Sequence, residues 1–420
     1  MPGIGRLSPD WRLPGADGRQ LAARARSRRT LRCCLVVQAF AMCAATAPSF
    51  AQASSRSPAE QRIAAAQAAL QRPQAGADTY TELALALARR ARETSDPAYY
   101  EQAEEAIKSS LRLAPGNFEA RKMQAWVLLG RHEFAAALEL ARALNKQAPD
   151  DLLVYGFLTD AHAELGNYKE AEEACQWMLD LRPGNTPAFT RAAYLRELFG
   201  DVDGAIELMT AAYERTPPTE VEDRAWMLTQ LAHLQMLAGR LEYAEQLLID
   251  ALALFPKYHY ALGNLAKVRS GQGKHAEAAD LLKQRYEAAP HPENLHALAE
   301  ALERAGRAKE AEAAYVEFEA QALRESAGWD NANRELVFYY ANHARKPAEA
   351  LRIAQLEIAR RQDVYTLDAY AWALHVSNRS AEARAHIDRA LAVGIKDPEV
   401  LSRAAMIGAA AGKPSAPEVK

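Results

Sequence analysis

Apolar residues recur three and four positions apart through most of this chain, and no stretch competes with them at the strand period of two. Residues Ala225–Pro256 show the pattern. Leu228, Leu231, Ala232 and Gln235 form one helical face. Gly239 ends that helix, because glycine takes the left-handed backbone at little cost. Leu241 follows the turn, Ala244 and Ala251 lie seven apart on a second helix, and Pro256 stops it. The pattern predicts two antiparallel helices brought close by small side chains.

The pair recurs. Prolines fall at 115, 149, 183, 217, 256 and 290, with one 39-residue step among steps of 34. Glycines at 166, 200, 239, 273 and 306 are spaced 34, 39, 34 and 33 apart, and each is followed five residues later by alanine. Such a period marks a stack of units that bury a continuous core between neighbours.

The repeat resembles the tetratricopeptide repeat (TPR) family over roughly residues 76–413. The positions that carry the resemblance are Ala193, Ala232, Ala266, Ala299, Ala371 and Ala405 on first helices. On second helices they are Ala103, Ala171, Ala205, Ala244, Ala278, Ala311, Ala350 and Ala383. The turns are Gly166, Gly200, Gly239, Gly273, Gly306 and Gly412. The resemblance implies an all-α solenoid of about nine helix pairs plus one closing helix at Pro398–Lys413. Irregularities are expected at six places. The first unit carries an extra Ser95–Tyr100 in its turn, and Pro218–Arg224 is inserted between the fourth and fifth units. The second unit turns at Gly130 and carries a second helix one or two residues longer than the others. The seventh has a long helix over Ala308–Ser326. The eighth has Ala344 at the turn, with Pro347 starting the next helix. The ninth has Asn378 in the turn. A separate helix over Ser57–Arg72, capped by Ser57 with Pro58 at its first position, precedes the array within a segment 52–75. Residues 414–420 read as a disordered tail.

Composition allows a large core: 420 residues, 49% hydrophobic and 25% charged, with net charge −3. That balance makes no case for nucleic-acid binding. The charge is uneven. Residues 1–51 hold eight Arg and two Asp, a net of +6, which leaves −9 for the rest. Within that head, the basic Arg24–Arg32 precedes the 15-residue apolar run Cys33–Ala47, then small-x-small sites ending at Ala51 and Ala53. The order predicts a cleaved export signal over 1–51, and a periplasmic protein if the source is Gram-negative. The run is too short and alanine-rich for a membrane span, so none is expected after cleavage. Arg28-Arg29 with Leu31 is a partial twin-arginine pattern, spoiled by Arg32. Of four cysteines only Cys175 lies outside that run, so no internal disulfide is expected, and its helical position reads as core.

Catalytic motifs fail one by one. His132-Glu133 begins a zinc-protease pattern, but Ala136 stands where its second histidine belongs. Gly271–His275 lacks both the upstream glycine and the Ser or Thr of a phosphate loop. No nucleophile elbow, Cys-x-x-Cys or EF-hand loop occurs. His259 and His291, at the starts of adjacent units, read as solvated loop residues. No metal or cofactor is expected, and an enzyme built between repeats is disfavoured because the repeats take up nearly all the chain.

The TPR register implies a concave groove containing Tyr194, Trp226, His233, Tyr260, Lys267, His296, Arg334, Phe338, Tyr365, Asp368 and Trp372. Aromatic and arginine side chains anchor interfaces disproportionately. The paired Lys and Asn that grip a peptide C-terminus in one subclass are missing. The function expected is an exported scaffold that binds a protein or peptide partner, for assembly of an envelope complex. An accessory role in envelope polysaccharide or outer-membrane machinery is the alternative.

Overall fold

A computed structural model describes residues 57–411. The export-signal and tail segments, and Gly412, lie outside them. The described residues form twenty α-helices and no strand.

Helix α1 (Pro58–Leu70) stands alone at the start. Ser57 accepts from Glu60 N–H while Glu60 accepts from Ser57 N–H, closing a capping box with Pro58 in the first turn. Nine pairs follow: α2 (Ala77–Thr94) with α3 (Ala98–Leu113), α4 (Phe118–Gly130) with α5 (Phe134–Gln147), and α6 (Leu152–Glu164) with α7 (Tyr168–Leu181). Then come α8 (Thr186–Leu198) with α9 (Val202–Arg215), α10 (Val221–Leu237) with α11 (Leu241–Leu254), and α12 (His259–Gly271) with α13 (His275–Ala288). The last three are α14 (Pro292–Arg304) with α15 (Ala308–Glu325), α16 (Asn333–Phe338) with α17 (Pro347–Ile358), and α18 (Val364–Val376) with α19 (Ser380–Val393). Helix α20 (Pro398–Ala411) closes the array.

Local chemistry explains each joint. Asn117, Asp151 and Asn185 follow the phased prolines and cap α4, α6 and α8, accepting from N–H groups 3.1, 3.1 and 2.8 Å away. Small residues permit the close approach within a pair. Ala171, Ala205, Ala244, Ala232 and Ala371 are all fully buried. Cys175 is buried too, and burial pushes its thiol up to about 12.

Three expectations change. The left-handed turn residue of the second unit is His132 (φ 56°), 34 residues before Gly166, while Gly130 stays helical. With the turn counted from His132, α5 has the same 14 residues as its counterparts and no extra length. In the eighth unit the left-handed residue is Arg345 (φ 53°), not Ala344. Its first helix ends in a π-helical turn over Tyr339–His343. Ala405 is exposed, because no second helix follows α20 among the described residues. The expected features of the seventh and ninth units stand: α15 is an 18-residue helix, and Asn378 has φ 61°.

Candidate functional site: the inner face and its seam

In an ordinary solenoid each unit touches only its neighbours. Here the coil also closes on itself. The hairpin turns of early units rest on the inter-unit loops of later ones, joining residues 130 to 229 positions apart. Arg62 and Arg89 reach Glu220 at 3.0 and 3.3 Å, and Arg92 pairs with Glu222 and Asp223. His259 packs on the first turn, with Nε2 3.2 Å from the Arg92 carbonyl and 3.3 Å from Ser95 Oγ. It is buried, not solvated, and burial holds its imidazole down to about 4. Trp329 lies under the Arg131 guanidinium, 4.7 Å from it, and edge-on to Tyr100 at 6.3 Å. Gln362 N–H donates to the Glu164 carbonyl at 3.1 Å, and Val364 N–H to the Tyr168 hydroxyl at 2.9 Å. Beyond them, Gly200 meets the Gly394 backbone closely enough that neither could carry a Cβ unmoved.

Where the seam meets the inner face, charged and phenolic groups from several units converge. Asp363 caps α18, accepting from Tyr365 N–H, Thr366 N–H and the Thr366 hydroxyl at 3.0, 3.2 and 2.6 Å. Arg361 touches Glu357 at 2.9 Å, and Glu164 and Asp363 both at 3.4 Å; Arg334 approaches Asp363 at 3.8 Å. Burial would raise the Asp363 carboxyl, but Arg361 and Arg334 hold it below the usual range. Glu164 is the opposite case. Burial and the Asp363 charge outweigh the same two arginines and push it up to about 7. Two acids sharing two cations thus split in pKa. Both Tyr194 and Tyr365 stand in this field, their phenols pushed up chiefly by burial. Further along, Arg285 lies 3.1 Å from Glu293, and with His291 and Arg334 it overcomes burial to hold that carboxyl down to about 2. His291 is no solvated loop residue either; it faces Asp330 at 3.2 Å.

The eleven groove residues separate accordingly. Tyr194, Arg334 and Tyr365 come together around Glu164 and Asp363, all half-open. His233 is held by Glu197 at 2.9 Å. Tyr260 sits beside the seam against Tyr258 and His259. Trp226 is half-buried, and Lys267 is exposed. Two others are covered by their own neighbours: Phe338 under Arg403 at 4.6 Å, and Trp372 with its indole N–H on Asn342 at 2.8 Å. The remaining two are not groove residues. His296 is buried against Phe318 and Tyr315. Asp368 is buried and taken by Arg403, whose two nitrogens approach it at 2.6 and 2.9 Å. His296 is covered by α15, the second helix of its own unit, and Asp368 by Arg403 from α20.

The register missed Glu164, Tyr168, Arg361 and Asp363, since the first two stand at helix ends beside a hairpin turn and the last two in an inter-unit loop, none at a groove position in mid-helix. One signal was present. The loops Ser326–Ala332 and Ala359–Asp363 are the inter-unit connections from the seventh unit on, and neither has the phased proline. They carry Trp329, Arg361 and Asp363.

Among the described residues no group of His, Cys, Asp or Glu has the arrangement of a metal site, and no helix is long and apolar enough to cross a membrane. No protein-family model and no curated protein matches this chain. Among solved structures, a chain of the APC/C hetero-tetramer Cut9–Hcn1 is similar at 14% identity and TM-score 0.45, over 78% of this chain and 55% of that one. This chain therefore spans little more than half of that relative's length. PilW, a widely conserved type IV pilus biogenesis factor, is similar at 14% identity and TM-score 0.42, over 49% of this chain and 93% of its own. The human IFIT1 dimer with PPP-AAAA is similar at 13% identity and TM-score 0.49, over 79% and 94%.

Proposed function

We propose that this chain is an exported, non-enzymatic scaffold that holds a segment of a protein partner on its inner face, in the assembly of an envelope complex. One observation carries the reading: half-open tyrosines and an arginine from distant units, Tyr194, Tyr365 and Arg334, converge on a shared charged cluster. Such side chains offer large contact area at small entropy loss, and a charged cluster fixes the orientation of a polar backbone. A nucleophile beside a base is missing from that cluster, and its acids are engaged by arginines. The basic, apolar and small-residue order of Arg24–Ala53 supports export.

The test starts from partner identification by cross-linking in the native host. Trp226→Ala and Lys267→Glu change half-buried and exposed inner-face residues. Each is expected to keep the helical circular-dichroism signal and melting temperature while weakening the identified partner's binding about tenfold, or 1.4 kcal/mol. Wild-type affinity in both variants would move the binding surface off the inner face. N-terminal sequencing of the protein from its host is expected to begin near Gln52 or Ser54. An intact N-terminus would remove export from the reading.

A further inference from the structure

Among the described residues each end of the array lacks half of a helix pair. Helix α1 packs on α2 through Ala59, Ile63 and Ala66, where the second helix of a preceding unit would stand. No first helix precedes it among the described residues. Helix α20 is a first helix with no second helix behind it among the described residues. Its register is clear: Leu401 and Ala405 stand 34 residues after Leu367 and Ala371. Leu367 and Ala371 are buried by their own second helix, at 3% and 0% exposure. Leu401 is 42% exposed, and Ala405 is exposed beside it. Ser402, Met406 and Ala409 continue this open face, Met406 is 44% exposed, and the one charge at its edge is Glu399 in the first turn. The outer face of α1 is uncharged where Ala65 and Ala68 are exposed.

The flanks of the coil repeat the relation. Gly166 and Gly200 are covered by the loops of later units, whereas Gly239, Gly273 and Gly306 have nothing near them. On the opposite edge Gly116 is equally open. The edge that seats later loops is therefore filled for early units and empty for later ones.

We infer that a second copy of this chain covers α20, with its α1 supplying the missing second helix, so that chains associate head to tail. The contact continues the unit-to-unit interface already present within one chain. Two faces of small and apolar side chains meet, with Glu399 only at the edge, and the alanines of α1 let it approach Leu401 and Ala405 closely. Because the two faces differ, the contact is heterologous and propagates into chains of copies rather than closing a two-fold dimer. The open turns of the later units then receive the first loops of the next copy.

Sedimentation velocity of the full chain from about 1 to 100 µM tests this. The average mass is expected to rise with concentration above the 46.2 kDa of one chain. Leu401→Glu with Met406→Glu blocks the tail, and Ala65→Arg with Ala68→Glu blocks the head. Each blocked variant is expected to stay at one chain mass. An equimolar mixture of the two is expected to form a pair of twice that mass and nothing larger, since each keeps the face the other has lost. Circular dichroism checks that both keep their helices. Should a double variant lose them, Ala405→Arg and Ala68→Arg serve as single-site replacements. A wild-type chain that stays at 46.2 kDa throughout overturns the inference. A head-blocked variant that still pairs with itself overturns it in favour of tail-to-tail contact, and variants that both associate place the contact elsewhere.

Discussion

Gly166 and Gly239 occupy the same place in their units and adopt the same left-handed backbone, with φ of 76° and 74°. Their surroundings have nothing in common. A Cβ on Gly166 would stand 2.7 Å from the Gln362 carbonyl oxygen, while one on Gly239 would meet nothing within 4 Å. The local reason for glycine is the same at both, a turn that other residues enter only with strain. The global reason exists only at Gly166, where the coil closes on itself. A repeat therefore imposes its local geometry everywhere, but a closed coil gives equivalent positions different tasks.

The largest effect is expected where the seam holds buried charge. Arg361 is the shared partner of Glu164, Glu357 and Asp363, and all but Glu164 are nearly inaccessible. Arg361→Ala leaves those acids without it and is expected to cost about 3–5 kcal/mol. The counterpart on the open edge is Arg240, paired with Asp203 at 3.3 Å with both side chains largely in solvent. Arg240→Ala is expected to cost less than about 1 kcal/mol. Denaturant unfolding of the two variants side by side reads the contrast, and equal midpoint shifts would show that the seam adds no stability.

Glycine substitution sharpens it. Gly239→Ala and Gly273→Ala introduce only the left-handed strain, about 1–2 kcal/mol. Gly166→Ala adds a collision with the Gln362 backbone, about 1–3 kcal/mol more. Since that collision is relieved by parting the seam, the Gly166 variant alone should also show a larger radius of gyration in small-angle scattering. A larger radius in the Gly239 variant would mean that the two edges are not distinct.

How much of this was legible follows from the range of the interactions. Helix pairs, their small-residue contacts and most of their turns rest on residues within about 40 positions of one another, and periodicity exposes them. The His132 and Arg345 turns were misplaced because other side chains occupy the left-handed position, so the glycine marker is missing there. The converging cluster is harder to see. Glu164 and Arg361 lie 197 positions apart, and nothing in either local stretch names the other. The lost phased proline on the later loops was the one trace of it. His296 and Asp368 failed for a different reason: Phe318 and Arg403, which cover them, lie within about one unit's length, but a register position does not say which side chains close over it.

The smallest expected effect has a sign that differs between the two regions. Glu164 keeps a quarter of its side chain open, yet burial and Asp363 push its carboxyl up to about 7. A raised acid binds a proton on folding. Its contribution to stability therefore falls as pH rises from the ordinary glutamate value, 4.5, to about 7, and is constant above that. Glu245 stands at the open edge, where Gln272 donates to it at 2.7 Å and Arg269 lies 2.8 Å away. Gln272, then Arg269, hold its carboxyl below the ordinary value, so its contribution is present above that value and lost on acidification. Other groups change stability over the same range. Burial keeps His259 neutral down to about 4, which favours the fold as pH rises. The readout is therefore the difference between each variant and the parent chain. Glu164→Gln is expected to match the parent near pH 5 and to exceed it by about 1–2 kcal/mol at pH 8, after allowance for the water that reaches it. Glu245→Gln is expected to fall below the parent by less than about 1 kcal/mol at pH 7 and to converge with it near pH 3. Melting curves of the three chains across this range decide the matter: a Glu164 difference that does not grow with pH would mean that this carboxylate is as well served by Arg361 as Asp363 is.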